Sequence, residues 1–241
     1  MQTQTEGLII KSRDINENDT VVKILTGDLG LISAFANGTK KVKSRTASAA
    51  VSPMTYSRLT LYRGRESYIV DDAKAIDVFF GLREDIEKLS LANYFCELAG
   101  EFSPENTEAH EFLSLTLNLL HLLSEDKRSV DFLKPVGELR MLALAGYMPD
   151  LAGCQSCGPV FSLRHAGFFC RGCAPEGEGI PVTPGVINAM RHICTCDDRA
   201  LFAFRMPDSS LKILGDITER YLLLQLGHKL RTLDFYKSIK M

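Results

Sequence analysis

The sequence predicts an α+β protein: a small five-stranded barrel first, then an all-α helical domain with a four-cysteine hairpin inserted into it. Three observations carry this expectation. Residues 1–80 break into short runs rich in Ile, Val and Leu, separated by turn residues. From residue 82 onward the apolar residues recur at helical spacing. Between Cys154 and Cys173 the stretch "CQSCGPVFSLRHAGFFCRGC" sets two Cys-x-x-Cys pairs twelve residues apart.

The N-terminal runs are "GLIIKSR" (7–13), "TVVKILT" (20–26), "LGLISAFA" (29–36), "MTYSRLTLYRG" (54–64) and "SYIVDDAKAID" (67–77). "NENDT" separates the first two, Gly27-Asp28 reads as a tight hairpin between the second and third, and "RGRE" (63–66) turns the fourth into the fifth. In the fourth run Tyr56, Arg58, Thr60 and Tyr62 fall on one face and Leu59 and Leu61 on the other. That is the period of a half-buried strand. Five short strands favour a closed or partly open barrel, because a lone sheet of this size leaves edges exposed. A five-stranded oligonucleotide-binding (OB) barrel is the first candidate and an SH3-like barrel the alternative.

The helical segments follow. "LREDIEKLSLANYFCELAGEF" carries Leu82, Ile86, Leu89, Phe95 and Leu98 at helical spacing. "PENTEAHEFLSLTLNLLHLLS" opens with Pro104 at a helix start and acids in the first turn. "DFLKPVGELRMLALAGY" ends at Gly146, ahead of Pro149. Thr183 caps "TPGVINAMRHIC" with Pro184 at its first position, and "SSLKILGDITERYLLLQLG" (209–227) comes last. A single bundle is the simplest way to bury these apolar faces. The expected domains are then 1–80 for the barrel, 81–148 with 181–241 for the helical part, and 149–180 for the insertion.

Three chemistries compete for the cysteines: a disulfide staple, a redox pair and a metal clip. The N-terminus "MQTQTEG" has neither the basic start nor the apolar run of a secretory signal. A cytoplasmic, reducing compartment is therefore expected, and seven cysteines is an odd number for a disulfide framework there. A thioredoxin-like site places one C-x-x-C where a strand feeds a helix. Here both pairs sit among Gly, Pro and small polar residues. Two such turns joined by the short hairpin "VFSLRHAGFF" aim Cys154, Cys157, Cys170 and Cys173 at one point, the tetrahedral shell of a structural zinc. The spacer is shorter than the common template of about 15 to 20 residues, and unmetallated or redox-active cysteines remain the alternative. His165 is read as a solvent-facing residue at the hairpin tip, Cys194 and Cys196 as partly buried fillers, and Cys96 as core. A closed four-thiolate zinc lacks the open position that activates water, so it braces a fold. An insertion with few apolar side chains is what a metal orders.

Catalytic signatures are missing: H-E-x-x-H, a deaminase H-x-E before P-C-x-x-C, a phosphate loop and a G-x-S-x-G elbow. A protein that is not an enzyme is expected. Two rival classes stay open, a zinc-containing nuclease or hydrolase with unrecognised carboxylates and a zinc-ribbon regulator that reads specific duplex sites. The most apolar run, Phe112 to Leu123, is too short for a bilayer, which needs about 20 apolar residues, so no membrane is expected.

Charge is uneven. Residues 1–80 hold 11 Lys or Arg against 9 acids, a net +2; the whole chain is −2, so the remaining 161 residues carry −4. The stretch "NGTKKVKSRTAS" (37–48) gathers Lys40, Lys41, Lys43 and Arg45 between the third and fourth strands. A flexible cationic loop on a barrel suits a phosphate backbone. Lys11, Arg13, Arg58, Arg63 and Arg65 extend the track, with Tyr56 and Tyr62 as stacking faces. The bland reading is a solvated loop and tyrosines that cap a core.

At this point the whole chain resembles the RecO family of bacterial recombination mediators. The resemblance is collinear and rests on "GLIIKSRDINENDTVVKILTGDLGLISAFANGTKKVKS", "GLREDIEKLSLANYFCELA", "GELRMLALAGYMPDLAGCQSCG", "GFFCRGC", "GIPVTPGVINAMRHI" and "GHKLRTLDFYKSI". It implies an N-terminal OB barrel, a helical C-terminal domain and an inserted zinc module. It further implies binding of single- and double-stranded DNA without sequence preference, and annealing of complementary strands. The implied partners are RecR and the acidic tail of single-stranded-DNA-binding protein (SSB), with assistance to RecA loading on SSB-coated DNA. A cytoplasmic, nucleoid-associated location goes with that role. An SSB tail needs an apolar groove rimmed by cations, for which Arg140, Arg220, Lys229 and Arg231 are candidates.

Overall fold

The computed structural model describes residues 2–15, 19–36, 45–64, 67–153, 159–170 and 179–240, without the side chains of residues 45–47. It is an α+β chain with an N-terminal five-stranded sheet and a helical C-terminal part. Strands β1 (Gln2–Asp14), β2 (Thr20–Thr26), β3 (Leu31–Ala36), β4 (Thr55–Arg63) and β5 (Tyr68–Asp77) close into a barrel in the order β1-β2-β3-β5-β4. Every pairing is antiparallel except β3 with β5. Closure pairs every strand on both sides and removes the open edges of a flat sheet. Ile9, Val22, Ile24, Ile32, Leu59 and Leu61 fill the interior. Each such side chain contributes about 1.5 to 3 kcal/mol on burial.

The alternation read in β4 holds: Leu59 and Leu61 are fully buried while Arg58 and Tyr62 face out. β1 starts five residues earlier than its apolar run, because the polar stretch from Gln2 to Glu6 pairs residue for residue with Tyr62 to Arg58. The β2–β3 turn is longer than a two-residue hairpin. Thr26 closes it by donating both its N–H and its hydroxyl to the Gly30 carbonyl, each at 3.0 Å. Gly30, not Gly27, adopts the positive φ of 67°. A Cβ there would also stand 2.2 Å from the Thr107 carbonyl, so glycine is required on two counts.

That close approach explains another departure. Pro104 does not start a helix. Its carbonyl accepts from Leu31 N–H at 2.8 Å, and Ala109 N–H donates to the Gly27 carbonyl at 2.7 Å. The segment lines the β2–β3 turn, and the helix begins only at His110. Ile86 also departs from its expected buried role; it is the first residue of its helix and is exposed. Asp85 caps that helix, accepting from Glu87 N–H at 2.7 Å and Lys88 N–H at 3.2 Å. The basic connection is not wholly a loop either: its end forms α1 (Arg45–Ala50), and Ala50 and Val51 join the barrel core.

The remaining helices are α2 (Ile86–Phe102), α3 (His110–Ser124), α4 (Val130–Leu144), α5 (Pro184–Thr195), α6 (Asp208–Leu226) and α7 (Arg231–Ile239). Gly146 takes a positive φ of 87° just after α4, and Thr183 caps α5, as the sequence suggests. The apolar faces do not gather in one bundle. The chain forms two compact units, residues 1–127 with 231–241, and residues 128–230. In the first, α2 and α3 pack against the barrel strands β1 and β2, and α7 packs against α2. In the second, α4, α5 and α6 pack together, accompanied by a small sheet of β6 (Val160–Ser162), β7 (Gly167–Phe169) and β8 (Ile180–Pro181) in the order β7-β6-β8. A boundary at residue 80 marks where the period changes from strand to helix; the packing units divide the helices instead. No helix among the described residues is long and apolar enough to cross a membrane.

Candidate nucleic-acid interface and cysteine module

Outward positions on the barrel carry four of the cations that the sequence singled out: Lys11, Arg13, Arg58 and Arg63. Lys11 and Arg13 are exposed on β1, where Lys11 lies opposite Lys23 and Arg13 opposite Val21 on β2. Lys11 and Lys23 line a groove of about 240 Å³ whose far wall holds Glu97 and Glu101. The acids compensate a like-charged pair that would otherwise be unfavourable. Glu97 in turn accepts from Thr232 N–H at 3.2 Å and from its hydroxyl.

Arg58 is placed differently. It donates through Nε at 3.0 Å and Nη2 at 2.8 Å to Glu6 Oε1, and the Tyr56 hydroxyl donates to Glu6 Oε2 at 2.8 Å. The Arg58 hydrogen bonds, with that of Tyr56 second, hold the Glu6 carboxyl below the usual carboxylate range. Burial, then the bond to Glu6, pushes the Tyr56 phenol up to about 12. Arg58 is thus engaged by a carboxylate, and Tyr56 supports that carboxylate rather than offering a stacking face. Arg63 is exposed at the end of β4, opposite Tyr68. Lys40, Lys41, Lys43 and Arg65 lie outside the described residues, and Arg45 opens α1 with its side chain outside them.

Sequence reading passed over Lys23 and Lys74, which sit beside Lys11 and Arg58 respectively. The signal was present: Lys23 separates Val22 and Ile24, both fully buried, so it must face out.

The candidate groove cations separate into two kinds. Arg140 is buried and committed inward, donating to the Ile193 and Cys194 carbonyls at 3.2 Å and to Asp198 at 2.9 Å. That removes it from any surface role. Arg220 is exposed, pairs with Asp216 at 3.2 Å, and borders a groove of about 700 Å³ floored by Phe161, Ile180, Leu223 and Leu224, with Arg164 on its lining. Lys229 and Arg231 are exposed near the start of α7.

β6 and β7 form the antiparallel hairpin read between the cysteine pairs. His165 is exposed at its tip, 3.1 Å from the Ser162 hydroxyl and edge-on to the Phe169 ring. Cys154, Cys157 and Cys173 lie outside the described residues; Cys170 directly follows β7 and is buried. Two facts describe the backbone that flanks the cysteine stretches. Val160 lies opposite Phe169, so the chain enters β6 beside the point where it leaves β7 for Cys170. Gly153, the residue before Cys154, runs so close to β7 that a Cβ on it would stand 2.0 Å from the Phe168 carbonyl. The other cysteines are poor thiolates. Burial pushes the Cys96 and Cys194 thiols up to about 12, and raises Cys196.

The described residues thus give a closed five-stranded barrel with exposed cations, followed by helices and a small hairpin between the cysteine pairs. Two family models match the chain: "Recombination protein O N terminal" over residues 1–79 and "Recombination protein O C terminal" over residues 83–234. The chain belongs to the recombination protein O (RecO) family, which places it in DNA repair and recombination. It is 31% identical to the DNA repair protein RecO of Acetivibrio thermocellus, covering 98% of this chain and 96% of that one. It is 32% identical to the DNA repair protein RecO of Desulforudis audaxviator, covering 99% and 97%.

Proposed function

We propose that this chain is a recombination mediator that binds single- and double-stranded DNA without sequence preference and anneals complementary strands. With RecR, it assists RecA loading on SSB-coated DNA. The observation that carries the reading is the two-part family match across a chain whose first part is a closed five-stranded barrel. The strand order, with one parallel pair between β3 and β5, supports an OB barrel rather than the SH3-like alternative. Two complementary strands repel through their phosphates. Cations offered to both lower that barrier without breaking a covalent bond, so the chemistry needs no catalytic residue and argues against the nuclease or hydrolase reading. Lys40, Lys41, Lys43 and Arg45, which fall between β3 and β4 in the sequence, are the proposed phosphate contacts together with Lys11, Arg13, Arg63 and Arg65. Lys23 joins them, and Arg58 serves only when Glu6 releases it. Contacts to phosphates carry little base information, which speaks against a site-specific regulator.

A structural zinc held by Cys154, Cys157, Cys170 and Cys173 is the proposed occupant of the cysteine stretches; what supports it is the hairpin between them, whose ends Val160 and Phe169 lie opposite one another. It would supply cross-linking of a region short of apolar side chains and no reactive chemistry. The Arg220 and Arg164 groove, with its apolar floor, is the proposed receptor for the SSB tail.

The test is the triple variant Lys40→Ala, Lys41→Ala, Lys43→Ala. DNA binding should weaken for all sequences, and the log–log salt slope should become shallower by about 2 to 3 units, at roughly 0.7 to 0.9 per lost contact. Annealing rates, with and without SSB at two salt concentrations, should fall in step. An unchanged slope removes the β3–β4 connection from the DNA path.

A further inference from the structure

The outward positions of a barrel strand are ordinarily polar, and isolated exposed apolar residues mean nothing. One cross-strand row here is neither polar nor isolated. Phe35 on β3 lies opposite Ile69 on β5, and Ile69 lies opposite Tyr62 on β4. The three are 38%, 40% and 43% exposed. On the other side Phe35 lies opposite Val21 on β2, which lies opposite Arg13 on β1. The row therefore runs Arg13, Val21, Phe35, Ile69, Tyr62 across all five strands of the barrel, with an aromatic ring at each end of its exposed centre. Neighbouring strands are about 4.8 Å apart, so Phe35 and Tyr62 stand roughly 10 Å from one another.

We infer that this row is a base-stacking platform, and that its occupant is the unpaired strand of DNA. The inference rests on the DNA-binding reading above and deepens it by naming the residues that distinguish single strands from duplex. Charge around the row selects the occupant. Arg13 closes one end, Arg63 follows Tyr62 directly, and the chain leaves β3 one residue beyond Phe35 into the stretch that holds Lys40, Lys41 and Lys43. Arg13 and Arg63 flank the strip, and the exposed acid two residues from Ile69, Asp71, is engaged by the Gln2 side chain at 3.2 Å; an apolar strip between cations matches a polymer with π-faced bases on an anionic backbone. Base faces are free only when unpaired, since in a duplex they stack on each other. Aromatic rings presented on the face of a sheet hold two or three bases in other single-strand binders; here β5 separates the two rings and Ile69 lies between them. Phosphate contacts treat both DNA forms alike, whereas the row adds affinity for one of them. Within annealing, it would hold bases of a captured strand splayed until a complement displaces the rings.

The test uses full-length protein with Phe35→Ala, Phe35→Leu, Phe35→Tyr and Tyr62→Ala, each checked for an unchanged melting profile. Binding to a labelled oligothymidylate and to a duplex of equal length is measured at two salt concentrations. Phe35→Ala should lose about 5- to 150-fold in single-strand affinity, the range of one stacked base. Duplex affinity should stay within twofold, and the salt slope should not move. Phe35→Tyr should retain binding and Phe35→Leu should not, because apolar area without a ring does not stack. Equal losses on both DNA forms, retention by Phe35→Leu, or single-strand binding that survives both alanine variants overturns the platform while leaving the phosphate reading intact. A wild-type chain that binds neither form removes both. Loss of RecR association with DNA binding unchanged would identify the row as a protein contact and overturn the proposal.

Discussion

Glu6→Gln is the most informative single change on the barrel. In the wild type the Glu6 carboxylate takes two N–H bonds from Arg58 and one O–H bond from Tyr56. The guanidinium charge is neutralised where it sits. Glutamine keeps the shape and can still accept the Tyr56 proton, but it carries no charge. Arg58 and its neighbour Lys74 on β5 are then left on an outward face with one acid fewer. If DNA crosses this face, one further phosphate contact forms. The log–log salt slope should steepen by about 0.7 for a single strand and about 0.9 for a duplex. Between 50 and 200 mM salt that is an additional loss of roughly 2.6- to 3.5-fold. Binding is followed by fluorescence anisotropy over that range for wild type, Glu6→Gln and Arg58→Gln. Arg58→Gln alone should leave the slope where it was, since its charge is already spent. A slope unchanged in Glu6→Gln refutes the reasoning and takes β4 out of the DNA path. A slope made shallower by Arg58→Gln alone refutes the claim that Glu6 occupies the side chain. Fold stability is a separate readout. The Glu6 carboxyl is lowered in the folded chain, so its contribution is present above the ordinary carboxylate pKa and is lost as pH falls through the lowered value. Both partners are largely exposed, and solvent screening keeps that contribution small.

Two further outcomes concern residues 128–230. Lys134 Nζ lies 2.8 Å from both Glu138 and Glu219, and the fully buried Glu138 also accepts from the Thr218 hydroxyl at 2.6 Å. Lys134→Met leaves a buried carboxylate without its cation and should cost about 3 to 5 kcal/mol. Calorimetry should record a lower Tm, and Lys134→Met with Glu138→Leu should recover much of the loss; no change in Tm would show that the charges are solvated. Cys170→Ser should lower bound zinc from about one equivalent per chain, measured by metal analysis, and destabilise this unit while the barrel keeps its DNA binding. A variant that folds normally but loses DNA binding would instead make the hairpin a contact surface.

Much of the barrel is legible from local chemistry. Period-2 alternation in "TYSRLTLYR" places Leu59 and Leu61 inside, and the Thr183-Pro184 cap and Gly146 stop need only neighbouring residues. The failures share a cause: they depend on partners distant in sequence. Pro104 has the look of a helix start, yet its carbonyl is claimed by Leu31. Ile86 fits the helical spacing but opens its helix on the exposed side. Arg58 reads as a free cation until Glu6, fifty-two residues earlier, is brought opposite it. Arg140 reads as a surface charge until the Ile193 and Cys194 carbonyls surround it.

Sequence alone determined the five barrel strands and the longer helices, the barrel's interior face, the spacing of the cysteine pairs and the family, because periodicity, caps and motif order are written between near neighbours; the short helix Arg45–Ala50 and the last helix Arg231–Ile239 were not read from it. Tertiary structure alone decided that the helices divide between two compact units and that Phe35, Ile69 and Tyr62 share one row. It also decided which arginines are already spoken for. Those outcomes are set by strand register and by which charges meet across the fold, and register couples residues whose separation along the chain carries no signal.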